Sequence, residues 1–262
     1  MKIYVMTDIE AVAGVVSFSH HADASGRYYD NAKKLLTAEV NAAVEGVLEA
    51  GATDVLVADG HGYGGIWFED LHPAVRLVHG GLPSGKMWGE VGRGYDACMM
   101  IGQHAMAGVA SGNLNHTGDS ATVDYVKIND RVIGEIGEFA LLMGTYDVPM
   151  IFLSGDEEAC AETRALLGSI TTVAVKQGLG RHAAISLSAV EARRRIREGA
   201  SQAVRQHQKM PLKPLKWPGP FVREVRYFHT DTADSACTRG AERVDSQTVR
   251  WRSNEIRDLI YR

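Results

Sequence analysis

The stretch Lys2–Glu10, KIYVMTDIE, decides how the rest of this sequence is read. Its first six residues form a near-continuous apolar run, the pattern of a central strand covered on both faces. Ligands of such sheets sit beyond the carboxyl ends of the strands. Asp8 and Glu10 stand at that end, and side chains two apart on an extended segment point the same way. Two crowded carboxylates repel and desolvate badly unless a divalent cation joins them. The plainer reading is that Asp8 caps a turn while Glu10 is solvated, and the stretch alone leaves both open.

Working outward, residues 28–50 repeat apolar side chains at helical spacing (Leu36, Val40, Val44, Val47, Leu48), and Gly51 falls where a helix-ending glycine belongs. Thr53–Ala58 (TDVLVA) then reads as a second strand, which fits a right-handed βαβ crossover. Leu77–His79 is a short strand candidate, and Tyr95–Gly102 (YDACMMIG) a longer one. Residues 123–135 read as strand, turn at Asn129-Asp130, and restart. A helix over 136–144 and a buried strand over Pro149–Ser154 follow. Beyond them the spacing predicts a helix over 156–167, a strand over 170–176 and an Arg-rich helix over 188–207. The Pro-rich connector from Pro211 to Pro220 marks the internal boundary. The expected fold class is α/β: a largely parallel central sheet flanked by helices in a metal-binding domain, 1–210, with a smaller C-terminal α+β portion, 211–262.

Composition sets limits on function. With 45% hydrophobic and 23% charged residues the chain is globular rather than disordered. Residues 1–130 hold 8 Lys and Arg against 16 Asp and Glu, an acidic half that suits a cation and argues against a nucleic-acid partner. The cluster Arg193, Arg194, Arg195 and Arg197 reads as a solvated helix face. Cys98, Cys160 and Cys237 are odd in number and far apart, with no CxxC, as expected of reduced thiols. No secretory pattern precedes the first strand, and no apolar run nears the roughly 18 residues of a membrane span. The expectation is a cytoplasmic protein with no membrane partner.

His61 follows the second strand inside the glycine-rich turn Asp59–Gly65, and His104 follows the YDACMMIG strand. A single loop histidine is more often a surface residue than a ligand. Two of them past separate strand ends, in a sheet whose first strand ends Asp-x-Glu, favour a metal. Nitrogen and carboxylate donors together suit zinc, cobalt or manganese rather than magnesium. Asp59 either orients an imidazole or starts the glycine turn. That turn lacks the Gly-Lys-Ser/Thr of a phosphate cradle.

In order and spacing, MKIYVMTDIEAVAG (1–14), VADGHG, IGQHA, Asn115-His116 and INDRVIGEIGEFA resemble the zinc-dependent D-aminopeptidases of dipeptide-utilisation systems (the DppA type). Further similarity lies in Leu71-His72-Pro73, YDVP (146–149), SGD (154–156) and TTVAVKQ (171–177), so the resemblance spans nearly the whole chain. It implies that Asp8, Glu10, His61, His104 and Glu135 bind two divalent metal ions, zinc foremost, and that His116 is catalytic beside them. Glu135 in particular comes from the resemblance, because Gly134-Glu135-Ile136-Gly137 reads blandly as a helix start. The resemblance also implies a small peptide or amide substrate, a two-metal-activated water and a ring-like homo-oligomer. The segment 17–27 (SFSHHADASGR) departs from the family, and its His20 and His21 read as an exposed loop. The stretch 105–122, rich in Gly, Ala, Ser and Asn, has the composition of a pocket lining. Alternatives are an amidase of a small non-peptide amide, a non-catalytic metal-binding module, and a phosphoester hydrolase relying on Lys127 and Arg131.

Overall fold

The computed structural model describes residues 1–82, 84–238 and 240–261. In chain order the elements are β1 (Lys2–Thr7), α1 (Tyr29–Glu49), β2 (Asp54–Asp59), β3 (Val75–Val78), α2 (Met87–Val91), β4 (Ala97–Gln103), β5 (Val123–Ile128), β6 (Arg131–Ile133) and α3 (Glu135–Gly144). Then come β7 (Met150–Asp156), α4 (Glu157–Leu167), β8 (Thr171–Gly180), β9 (Ala183–Ser186), α5 (Ala189–Lys209), β10 (Phe221–Tyr227), α6 (Thr230–Ala236), β11 (Glu242–Arg243) and β12 (Thr248–Ser253).

The larger sheet has seven strands in the order β3-β2-β1-β4-β7-β8-β9. All pairings are parallel except β8–β9, a hairpin at the edge. Strand β1 lies near its centre, and its alternation serves two cores at once. Ile3 and Val5 join the apolar cluster under α1 and α5, while Tyr4 and Met6 join the one under α3 and α4. This is why the strand reads as a continuous apolar run rather than an alternating one. Burying one such side chain contributes about 1.5–3 kcal/mol before the entropy of ordering it. Gly51, at φ +92°, ends α1 in the left-handed conformation that glycine adopts without a Cβ clash.

The second sheet is antiparallel, in the order β11-β12-β10-β5-β6. The strands after residue 211 do not make it alone, since β10 pairs with β5. The β5–β6 hairpin turns through Asn129 and Asp130, both at positive φ, as a tight hairpin of right-handed twist requires. Helix α3 is shared: Ile136, Phe139, Ala140 and Met143 pack on the large sheet, and Leu141 and Leu142 on the small one.

On α5, Arg194 pairs with Glu191 and Glu198, and Arg197 reaches Glu45 and Glu49 of α1. With Arg195 also paired to Glu191, these three arginines of the cluster form an exposed helix face neutralised by neighbouring acids. No helix among the described residues is long and apolar enough to cross a membrane.

Candidate metal centre

Three adjacent parallel strands deliver the first side chains. Asp8 follows β1, His61 lies two residues beyond β2, and His104 follows β4 directly. Gly102 makes the convergence possible: at φ +78°, a Cβ there would lie 2.0 Å from the Asp8 carbonyl oxygen. The loop after β1 lies along the carboxyl edge of the sheet, with the amides of Asp8 and Ala11 donating to the carbonyls of Ile101 and Gly102. Glu135 arrives from the other side, as the first residue of α3, and accepts a hydrogen bond from the Gly118 amide at 2.8 Å.

All six residues named from the sequence meet at one rim. His61 Nδ1 lies 3.3 Å from Asp8 Oδ1 and 3.4 Å from Glu10 Oε2. His104 Nε2 lies 3.1 Å from Asp8 Oδ2 and 3.6 Å from Glu135 Oε1. His116 Nε2 lies 3.8 Å from Glu135 Oε1, and its ring stacks on that of His104 at 3.8 Å. Two trios offer ligand atoms close enough to share an ion: Asp8, Glu10 and His104, and His104, His116 and Glu135.

The outer nitrogen of each imidazole faces a backbone carbonyl: His61 Nε2 that of Ala22 at 2.7 Å, His104 Nδ1 that of Ala105 at 2.9 Å, His116 Nδ1 that of Leu114 at 2.9 Å. A carbonyl only accepts, so each outer nitrogen carries the proton and each neutral ring turns a lone pair toward the carboxylates. Lone pairs facing anionic oxygens need a positive charge between them. Glu10 Oε2 and His104 Nε2 are buried there with no hydrogen-bond partner. Were protons the only remedy, the His61 and His104 rings would have to hold them far above neutrality. Burial opposes the charged form of His61, yet Glu10 and Asp8 push its pKa up to about 11. Burial likewise opposes it in His104, and Glu135 and Asp8 push that ring up to about 10. Burial works against the ionised Asp8 too, but His104 and His61 hold it well below the usual carboxylate range. The same demand is met by divalent cations, and mixed imidazole and carboxylate donors fit zinc.

The site opens into a cleft of about 660 Å³. Asp8, Glu10, Asp23, Asp119, Glu135 and Glu138 line it, with no Lys or Arg among the described lining residues. His116 lines it as well, whereas His104 does not. Phe18, Trp88 and Tyr261 supply apolar wall, and Gly118–Ala121 line the cleft too, as the small-residue stretch suggested.

The segment 17–27 is not merely an exposed loop. Phe18–Ala22 forms a single π-helical turn, capped by the Ser17 hydroxyl, with Ala22 buried. Its Ala22 carbonyl fixes the His61 ring, and Phe18 meets His116 edge-on at 5.4 Å. His20 is exposed. Asp59 starts the glycine turn rather than orienting an imidazole, since its carboxylate accepts the amides of Gly65 and Ile66. Lys127 lies over the Tyr125 ring and Arg131 over Trp217, and neither lines the cleft.

Sequence reasoning missed the buried pair Glu138–Arg223, 2.6 Å apart, which ties α3 to β10. The sequence signal was faint: an acid in an otherwise apolar helix and an arginine at an inward position of a strand.

A parallel sheet with clustered imidazoles and carboxylates at its carboxyl edge, beneath an acidic cleft, defines a metal-ligating α/β protein of hydrolase type. The family model for D-aminopeptidases matches residues 1–261, and the chain belongs to that peptidase family. It is 31% identical over 259 residues to the D-aminopeptidase of Bacillus subtilis (strain 168), covering 98% of this chain and 93% of that one. It is also similar in structure to the Zn-dependent D-aminopeptidase DppA from Bacillus subtilis, described as a self-compartmentalizing protease. That match has a TM-score of 0.89 at 28% identity, over 99% of this chain and 94% of the other.

Proposed function

We propose that the protein is a zinc-dependent aminopeptidase acting on short peptides with a D-residue at the amino terminus. The observation that carries this is the ring of inward lone pairs and carboxylate oxygens around the unpartnered Glu10 Oε2 and His104 Nε2. Asp8, Glu10, His61, His104 and Glu135 would hold two zinc ions. When bound, the ions supply Lewis acidity toward a carbonyl oxygen and acidify water near neutral pH.

The chain's own groups do the rest. An acidic cleft with no lysine or arginine among its described lining residues attracts the ammonium of a peptide amino terminus and repels a phosphate, which supports amide over phosphoester chemistry. His116, lining the cleft with its outer nitrogen committed to Leu114, presents Nε2 to the substrate. There its lone pair can take a proton from the attacking water, and the imidazolium so formed can pass that proton to the leaving amine or donate a hydrogen bond to a developing oxyanion. Phe18 packs edge-on against that ring beside the cleft.

Assembly into a ring-like homo-oligomer belongs to the same reading, supported by the self-compartmentalizing relative. So does a cytoplasmic location, which three unpaired cysteines suit. The deciding experiment combines elemental analysis of the purified protein with a panel of D- and L-aminoacyl amides, dipeptides and acyl amides. Two zinc ions per chain and chelator-sensitive cleavage of D-aminoacyl substrates are expected. A protein that binds no metal, or binds two and cleaves no amide, would refute the proposal.

A further inference from the structure

Lys176 lies on β8, three strands from β1, and is 3% exposed. Its ammonium faces three acceptors: the backbone oxygens of Glu10 and Val15, each at 2.5 Å, and Asn113 Oδ1 at 2.6 Å. An ammonium has three donors and no acceptor, so this set satisfies it completely. Asp156 and Glu39 are the carboxylates whose charge it feels besides Glu10.

The acceptors belong to two loops. Glu10 and Val15 bracket the loop that runs from Asp8 along the carboxyl edge, as far as the Ser186 hydroxyl that receives the Gly14 amide. Asn113 stands three residues before His116, and Asp156 accepts its amide at 3.0 Å. Lys176 therefore clamps the loop carrying Asp8 and Glu10 to the loop carrying His116, from behind the metal centre and without touching the cleft. Among the described residues, no backbone hydrogen bond joins the 8–15 loop to the 111–116 segment.

We propose that Lys176 is a positioning residue: its buried ammonium sets the separation between the Asp8–Glu10 carboxylates and the His116 imidazole. This rests on the reading of the site as a two-zinc peptidase. Lysine suits the task because its compact, tetrahedral head reaches three acceptors at the end of a flexible stem, which a planar guanidinium would not. Methionine keeps much of the stem and removes all three donors.

The test uses the full-length oligomer. Lys176→Met is compared with wild type for zinc affinity by chelator competition, for kcat and KM on a D-alanyl dipeptide, and for melting temperature. Outer supports of a metal site typically change affinity by about 10–100-fold, and small displacements of catalytic groups cost about 100-fold in turnover. The expected result is a zinc affinity at least about 10-fold weaker and a kcat lower by about 100-fold. KM should move by less than about threefold, because the cleft wall is untouched. Asn113→Ala, which removes one acceptor and leaves the ammonium on the Glu10 and Val15 oxygens, should show the same pattern more weakly. In the double variant its effect should largely vanish.

A Lys176→Met protein with lower melting temperature but wild-type zinc affinity and kcat would overturn the proposal, leaving Lys176 a stability residue only. If that variant fails to fold, Asn113→Ala decides alone, and wild-type zinc affinity and kcat there overturn it. A wild-type protein without zinc or peptidase activity refutes the underlying reading instead, a result visible before any variant is made.

Discussion

In the large sheet, Asp8, His61 and His104 come off the ends of three adjacent parallel strands, so the strand order β2-β1-β4 brings them together directly. The small antiparallel sheet contributes one of the clustered side chains, Glu135, two residues past β6 and already the first residue of α3. It acts through α3, which follows its hairpin and places Glu135 opposite the other carboxylates, and through Arg223, which anchors Glu138 one turn further along. The difference teaches that a parallel edge is a site by construction, because every strand ends there. An antiparallel sheet has to hand over a helix, and that helix must be locked in place.

The strongest way to break this comparison is at the strand ends. Asp8 bridges His61 and His104, so Asp8→Ala should abolish metal retention and bring activity to the detection limit, measured by elemental analysis and turnover. Unchanged metal content would remove the parallel edge from the centre. His116→Ala sharpens the point: two metals per chain should persist while turnover falls by about 10²–10⁴-fold. Loss of one metal would instead assign His116 as a ligand in the trio with His104 and Glu135.

On the antiparallel side, Arg223→Met leaves Glu138 as a buried acid without its counter-charge, and should cost about 3–5 kcal/mol in denaturant unfolding. A loss below about 1 kcal/mol would mean that the lock carries little. The smallest effect is expected behind the parallel edge. Glu39, nearly fully buried, accepts the Ala13 amide with one oxygen, and burial pushes its pKa from 4.5 up to about 7. Its folded-state value is raised, so its contribution is fully present below pH 4.5 and is lost as pH rises through 7. Glu39→Gln should therefore raise stability by up to about 3 kcal/mol at pH 8 and change it little at pH 4, read from melting curves. Equal shifts at both pH values would rule out titration of Glu39 as the cause.

Much of this was legible in advance because it depends on local pattern. The apolar runs of β1, β4 and β7 announced buried parallel strands, and the α1 periodicity ended at Gly51, where the backbone turns left-handed. Asp8, His61 and His104 could be suspected because each follows such a run. Glu135 and His116 could not be found that way: one opens a helix and the other sits in a small-residue loop, and only similarity to a family marked them. The role of 17–27 was hidden because its contribution to His61 is a backbone oxygen, which leaves no trace in side-chain type.

By itself, the sequence determined the strands, the crossover helices and the rim on which chemistry would sit, since burial and periodicity act over a few neighbouring residues. Only the tertiary structure decided which lone pairs face which oxygens, that Lys176 clamps two loops and reaches across 63 residues of chain to Asn113, and that α3 is pinned to a second sheet through Arg223. Those facts depend on distances between segments remote in the chain. Such distances are fixed by packing and charge pairing, which no local pattern records.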